Sequence, residues 1–230
     1  MRKEIKILGA IAVIVIIAAV IGASYYRNSI QSERITANSN SNKTTTANAE
    51  NLVRPDSPTL GSADAPVTIV EFYDPECEAC RAIYPVVKKI LKEYDGKVRL
   101  VVRYMPLHPN SMRAATLTEA AGEQGKYWQM QELLFQRQPE WGERHGPPTA
   151  APPPDITALF GKYAMELGLD LEKINSAIKE NRYQSKLERD KKDGQSLGVR
   201  QTPTFFINGR KLARLGESDL KALIKEELKK

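Results

Sequence analysis

Val67-Thr68-Ile69-Val70-Glu71-Phe72-Tyr73-Asp74-Pro75-Glu76-Cys77-Glu78-Ala79-Cys80 is the stretch that decides the reading of this chain. Val67–Tyr73 predicts a buried strand, and the residues from Cys77 to about Tyr94 predict a helix. Cys77 and Cys80 are the only two cysteines among 230 residues. A Cys-x-x-Cys between a strand and a helix has a specific chemistry. The helix start offers unpaired N–H groups and a partial positive charge. Both favour thiolate over thiol at Cys77, so its pKa falls. Cys80, one turn on, is close enough to attack a mixed disulfide formed by Cys77. The pattern predicts thiol–disulfide exchange, with Cys77 as the exposed attacking thiolate and Cys80 as the buried resolving cysteine.

Two other uses of the pair are weaker. A structural disulfide here closes a very small loop, and the entropy it removes from the unfolded chain grows with loop length. Structural zinc needs four ligands, and the only histidines, His108 and His145, fit no zinc spacing. Soft copper can use two thiolates, so a copper-binding thiol carrier stays as an alternative from another class. The expected redox group is the Cys77–Cys80 disulfide itself, with no further cofactor and no metal.

Outward from the motif, Val98–Tyr104 predicts a second strand. With the Cys77–Tyr94 helix as crossover, the two strands should pair in parallel through a right-handed connection. Ile83, Val86, Val87, Ile90, Leu91 and Tyr94 recur at helical spacing and should face the sheet. Tyr127, Met130, Leu133 and Leu134 belong to a later helix. Pro139 to Pro154 is proline-rich and reads as a loop. Ile156, Leu159, Phe160, Tyr163, Ala164 and Leu167 form an amphipathic helix, with Asp155 as N-cap and Gly168 as stop. Leu171, Ile174 and Ile178 form another after Asp170. Thr204–Ile207 and Lys211–Leu215 flank Asn208-Gly209, the strongest short-range hairpin signal. Ser218 then caps a last helix with Leu220, Leu223, Ile224 and Leu228 inward.

These positions resemble the thioredoxin superfamily, and more closely its DsbA-like branch of extracytoplasmic disulfide oxidoreductases. Pro85 lies where thioredoxin-type helices carry a kinking proline. Glu71, six residues before Cys77, lies where the superfamily places a buried acid. Thr202-Pro203 before Thr204–Ile207 matches the cis-proline loop. The helical stretch between Asn110 and Gly198 interrupts the core where DsbA-like proteins carry a helical insertion. The resemblance covers roughly Val53 to Lys230 and implies an α/β thioredoxin fold with that insertion.

It also implies roles. Glu71, if buried beneath the motif, has a raised pKa and exchanges the proton of Cys80 through water. The competing reading makes it a surface carboxylate on an edge strand. Pro203 is cis, and its loop lies against the disulfide and presents Thr202 backbone groups to an extended substrate. The alternative is a trans proline opening a strand. Strongly oxidising members carry histidine at the position of Ala79. Its absence, with Asp74, Glu76 and Glu78 nearby and Arg81 opposing them, predicts weaker thiolate stabilisation and a more reducing potential. His108 reads as a structural or exposed histidine with no partner, although a role near the active site is conceivable. Trp141 and His145 could frame a substrate surface, or belong to an exposed loop with one packed tryptophan.

The termini bear on location. Arg2, Lys3 and Lys6 precede an uncharged apolar run from Ile7 to Ala23, and Tyr25-Tyr26 extends it to about 20 residues, the length of a membrane-spanning helix. Residues 1–26 are therefore expected to anchor the chain, with a cleaved signal peptide as the competitor. No cysteine follows the run, which excludes a lipoprotein anchor. Residues 27–58 read as a disordered tether with a reach of roughly 30 Å. The catalytic domain is expected at 59–230, with the insertion at about 110–198, outside the cytoplasm where disulfides persist.

The net charge of +6 is interspersed, apart from Lys221, Lys225, Lys229 and Lys230 near the C-terminus. No stacked-aromatic basic motif points to nucleic acid. No dimerisation domain is visible, so a monomer is expected. The predicted activity is donation of the Cys77–Cys80 disulfide to reduced secreted proteins, with a DsbB-like membrane oxidase restoring it. A reductase or isomerase fed by a membrane electron donor is the alternative.

Overall fold

The computed structural model describes residues 49–143 and 154–230. Its elements are α1 (Ala49–Leu52), β1 (Thr59–Leu60), β2 (Val67–Tyr73), α2 (Glu78–Glu93), β3 (Val98–Tyr104), α3 (Ser111–Gly122) and α4 (Tyr127–Trp141). There follow α5 (Ile156–Glu166), α6 (Leu171–Lys179), α7 (Gln184–Ser196), β4 (Thr204–Ile207), β5 (Arg210–Lys211) and α8 (Glu217–Glu227). The strands form one mixed sheet in the order β1-β3-β2-β4-β5. β2 and β3 pair in parallel from Val67 opposite Val98 to Tyr73 opposite Tyr104, with α2 as the crossover. β4 runs antiparallel to β2 on its other side. The strand that leads into the cysteines is thus central.

Strand alternation sorts the core onto two faces. Val67, Ile69 and Tyr73 of β2 pack with Cys80, Ile83, Val87 and Ile90 of α2, and with Leu220 and Ile224 of α8. Val70 and Phe72 point the other way and join Val101, Met105, Val199, Phe206 and Leu52. α7 covers this second face. Its Gly194 lies so near Phe72 that a Cβ there would stand 3.0 Å from the ring. Helices α3 to α7 fill the span between β3 and β4, as the helical insertion requires.

Several boundaries differ from the sequence reading. Leu52 is buried, and the Arg103 guanidinium donates to the carbonyls of Asn51 (2.8 Å) and Leu52 (2.9 Å). The folded body therefore begins by residue 49, not at 59, because a buried arginine from β3 captures the end of α1. Helix α4 runs through Pro139 to Trp141, where a loop was expected. Proline inside a helix costs about 3 kcal/mol. Trp141 repays it: its indole is 1% exposed, donates to the Leu134 carbonyl at 3.0 Å, and meets Phe160 edge-on at 5.3 Å. Burial of a tryptophan is worth a comparable 3–5 kcal/mol, roughly. Trp141 is thus core and frames no substrate surface.

Asp155 caps α5 through its carboxylate, as read from sequence, and Asp170 caps α6 in the same way. Ile178 is exposed, and Ala177 takes the inward position in its place. At the hairpin Asn208 and Gly209 both have positive φ, the conformation a two-residue turn demands. The return strand is only Arg210–Lys211, however, and Gly216 rather than Ser218 is the N-cap of α8. Among the described residues no helix is long and apolar enough to cross a membrane. The expected anchor at 1–26, the linker up to residue 48 and His145 lie outside the described residues.

Candidate active site

Cys77 is the N-cap of α2, extended at φ −72° and ψ 123°, and Cys80 sits one turn inside the helix. Both are free thiols, so this is the dithiol form. Cys80 is fully buried and Cys77 is 8% exposed. The attacking cysteine is therefore less open than expected: the Thr202-Pro203 loop lies against it, with the Thr202 carbonyl 3.3 Å from its sulfur. The Thr202-Pro203 bond is cis, and Pro203 is buried. The Thr204 hydroxyl closes the loop by donating to the Gln201 carbonyl at 2.7 Å.

The two sulfurs are driven apart in acidity. The Cys80 thiol donates toward the Cys77 sulfur and is the largest influence on it. Burial opposes the charge, but Thr202 and the backbone amides of Cys80 and Ala79 add to the stabilisation, and the Cys77 pKa is held down to about 5. Cys80 goes the other way. Burial, the hydrogen bond to Cys77 and the negative charges of Glu71 and Cys77 push its pKa well above the ordinary value. One thiolate and one thiol at neutral pH is the arrangement an exchange centre needs.

Of the acidic residues read as disfavouring the Cys77 thiolate, Asp74, Glu76 and Glu78, the first two also hold the turn in place. The Asp74 carboxylate is fully buried and accepts from the amides of Glu76 (2.8 Å), Leu107 (2.7 Å) and His108 (3.2 Å), and from the Ser111 hydroxyl. Glu76 accepts from the Asn110 amide at 2.6 Å and its side chain at 2.9 Å. These bonds fasten the turn before α2 to the start of α3. Gln138 of α4 adds a brace by donating to the carbonyls of Pro75 (2.9 Å) and Cys77 (3.2 Å).

Glu71 lies on the central strand opposite Val102 and Phe205 and is 5% exposed, which rules out the edge-strand reading. Alternation places it on the α2 face, with Ile69 and Tyr73. Burial, helped by the charge of Cys77, pushes its pKa up to about 8. It is a carboxylic acid at neutral pH, close enough in charge to act on both cysteines. His108 has a partner after all: its Nδ1 stands 2.7 Å from Asp74 Oδ2. Asp74 was legible in part, since Asp-Pro opens turns in which the carboxylate takes the amide two residues on. The contributions of His108, Asn110 and Gln138 needed the tertiary fold, because each comes from 30 or more residues away. Among the described residues no group of three or more His, Cys, Asp and Glu is placed to hold a metal ion.

Comparison with known proteins agrees with this geometry. The Thioredoxin_4 family model, described as thioredoxin, matches residues 54–226. Among solved structures, BdbD from Bacillus subtilis superposes with a TM-score of 0.64 at 25% identity, covering 76% of this chain and 94% of that one. A thioredoxin-like oxidoreductase from Silicibacter pomeroyi gives 0.66 at 26% identity, covering 80% and 99%. Wolbachia pipientis alpha-DsbA1 gives 0.65 at 25% identity, covering 80% and 94%. Among curated sequences, Na(+)/H(+) antiporter NhaA 3 of Salinispora tropica is 36% identical over 154 residues, 66% of this chain. The match takes in 21% of that antiporter, so this chain spans about a fifth of the length of such relatives. The chain belongs to the Thioredoxin_4 family and is a DsbA-like thiol–disulfide oxidoreductase of the thioredoxin superfamily.

Proposed function

We propose that this protein is an oxidase outside the cytoplasm, donating the Cys77–Cys80 disulfide to reduced cysteine-containing proteins. One observation carries the direction: the structure lowers the Cys77 pKa to about 5, which makes its thiolate a good leaving group and favours the reduced pair. A pair whose reduced form is stabilised is an oxidant.

In the forward reaction a substrate thiolate attacks Cys77 of the disulfide. A mixed disulfide forms on Cys77, and Cys80 departs as a thiolate. Glu71, protonated at neutral pH, supplies the proton that returns Cys80 to its favoured thiol. A second substrate thiolate then attacks the substrate sulfur of the mixed disulfide and releases Cys77 as thiolate. Two substrate thiols have become one disulfide, and the enzyme holds the two electrons. When Cys77 is a thiolate or a mixed disulfide its sulfur cannot donate to the Thr202 carbonyl. That carbonyl is then free to accept an N–H of an extended substrate, the role read for Thr202 and Pro203 from sequence. A DsbB-like membrane oxidase would remove the electrons. Anchoring through residues 1–26 would keep the enzyme beside it.

The test is the reduction potential of the Cys77–Cys80 pair, by equilibration against glutathione. Strong oxidants of this type have an attacking-cysteine pKa of about 3.5, and thioredoxin about 7. The value of about 5 for Cys77 lies two units below the thioredoxin figure, worth about 60 mV at roughly 30 mV per unit. Relative to about −270 mV for thioredoxin, the expected potential is about −210 mV. A potential at or below the thioredoxin value turns the assignment to a reductase or isomerase.

A further inference from the structure

His108 follows β3 in a segment that the sequence leaves without a role. Its backbone N–H and its ring Nδ1 both reach Asp74 Oδ2, at 3.2 and 2.7 Å. The Asp74 carboxylate is fully buried, while the His108 side chain is 27% exposed and can trade protons with solvent. Asp74 in turn touches both cysteines through its backbone. Its carbonyl accepts the Cys77 N–H at 3.1 Å, and its own N–H points at the Cys80 sulfur at 3.5 Å. One residue therefore links a titratable ring to the dithiol.

We propose that His108, oriented by Asp74, is a positioning residue for the Cys77 thiolate, and that its proton rises and falls with the redox state of the pair. The proposal deepens the exchange reading above and rests on it. Three acidic groups act on the ring: Asp74 and Glu76 from the turn before α2, and Cys77 at the helix start. From the start of α3 the neutral Ser111 hydroxyl accepts the His108 backbone N–H at 3.2 Å. Burial lowers the His108 pKa, but the hydrogen bond and charge of Asp74 and the charges of Cys77 and Glu76 outweigh it, so the pKa is raised. Linkage is reciprocal. If the Cys77 thiolate favours the imidazolium, the imidazolium favours the thiolate by the same factor. Loss of the proton also leaves the Asp74 charge uncompensated beside the motif.

The redox consequence follows from the charges. In the disulfide Cys77 carries no charge, so the ring loses one of its three supports. Reduction of the pair restores that charge and raises the His108 pKa. Between the two His108 pKa values, reduction by two electrons takes up an added fraction of a proton on the ring. The oxidising power of the pair then declines as pH rises through this window. An opposite charge beside an acid lowers its pKa by about 1–3 units, and the Asp74 carboxylate, by offsetting the charge of the ring, reduces that effect at Cys77.

The experiment follows the ring signals of His108 by NMR across pH in the oxidised and reduced full-length protein. The chain has only one other histidine, His145, and the His108→Asn variant assigns the signals. The expected result is a higher His108 pKa in the reduced protein. In H108N, whose amide can still donate to Asp74, the Cys77 pKa read from thiolate ultraviolet absorbance rises, so that the thiolate fraction at acidic pH falls about threefold to tenfold. An equal His108 pKa in both redox states, or an unchanged Cys77 pKa in H108N, overturns the proposal. A thioredoxin-like potential in the unaltered protein would instead overturn the oxidase reading and leave the coupling to be judged on its own titration. A merely structural His108 predicts lower stability in H108N with no redox-dependent titration.

Discussion

Two buried ionisable residues lie close together in this sheet on opposite faces, and they are treated in opposite ways. Arg103 of β3 stands opposite Phe72, and Glu71 of β2 stands opposite Val102, one step along the same register. Arg103 is fully buried and fully answered. It meets Asp190 at 3.0 Å, Asp193 at 2.6 Å and the two α1 carbonyls, with its guanidinium 5.4 Å from the Phe72 ring centre. Among the described residues, no cation figures in the acidity of Glu71 to offset its burial. The only charge prominent in its acidity is the negative charge of Cys77, which makes matters worse. The first site holds the fold together. The second costs stability and is placed beneath the cysteines. Unanswered burial is what gives a carboxyl a pKa useful for proton transfer at neutral pH.

The strongest way to break this contrast is Arg103→Met. It keeps the bulk and leaves Asp190 and Asp193 without their buried cation. Removing one partner of a buried pair costs about 3–5 kcal/mol. The unfolding free energy extrapolated from urea titration should fall by that much, while the Cys77–Cys80 potential of the folded fraction stays unchanged. A shift in potential would mean that the two faces are coupled and that the division drawn above fails.

Glu71→Gln comes next, with the opposite sign. The folded-state pKa of about 8 lies above the unfolded value of 4.5. Between these two values the native protein binds more protons than the unfolded chain, so Glu71 makes stability fall as pH rises from about 4.5 to about 8. Glutamine removes that slope. At pH 7 the reduced variant should gain on the order of 2–3 kcal/mol. Release of Cys80 should slow, because the proton source is gone. A variant that loses stability at neutral pH would show that Glu71 has a partner that burial and geometry do not reveal.

These two residues also show what the sequence could and could not disclose. Glu71 was legible as a candidate through the resemblance, which places a buried acid six residues before the first cysteine. Its face followed only once β2 was placed at the centre, since alternation gives two faces without saying which is covered. Arg103 was not legible at all. A single arginine in an apolar strand gives no hint of Asp190 and Asp193, which lie some 87 and 90 residues further along the chain. The same holds at the active site. Cys77 and Cys80 stood out through motif spacing, and Thr202 and Pro203 through the resemblance to the thioredoxin superfamily, whereas the bonds of Asp74 to Ser111 and His108 depend on how the turn after β3 folds back. The acidic residues around Cys77 show the same limit. Charge counted along the chain says nothing about which carboxylates are already engaged.

The finest test uses a carboxylate that both arginine environments share. Asp193 accepts from Arg103 inside the core and from Arg54 at the edge, where Nε and one terminal nitrogen form a fork at 2.9 Å each. The Arg54 side chain is 29% exposed, whereas that of Arg103 is not exposed at all. Both arginines pair with the same carboxylate, but Arg103 is buried and also meets Asp190 and the α1 carbonyls. Solvent screens an exposed pair to about 0–1 kcal/mol. Arg54→Ala should therefore lower stability by no more than about 1 kcal/mol, several-fold less than Arg103→Met, with an unchanged urea slope. The measurement also weighs the segment that sequence composition assigned to the tether, since Arg54 bonds Asn51 of α1 as well as Asp193. A loss as large as that of Arg103→Met would mean that the 49–58 segment is a full part of the core, and that energetic weight at Asp193 follows geometry and not burial.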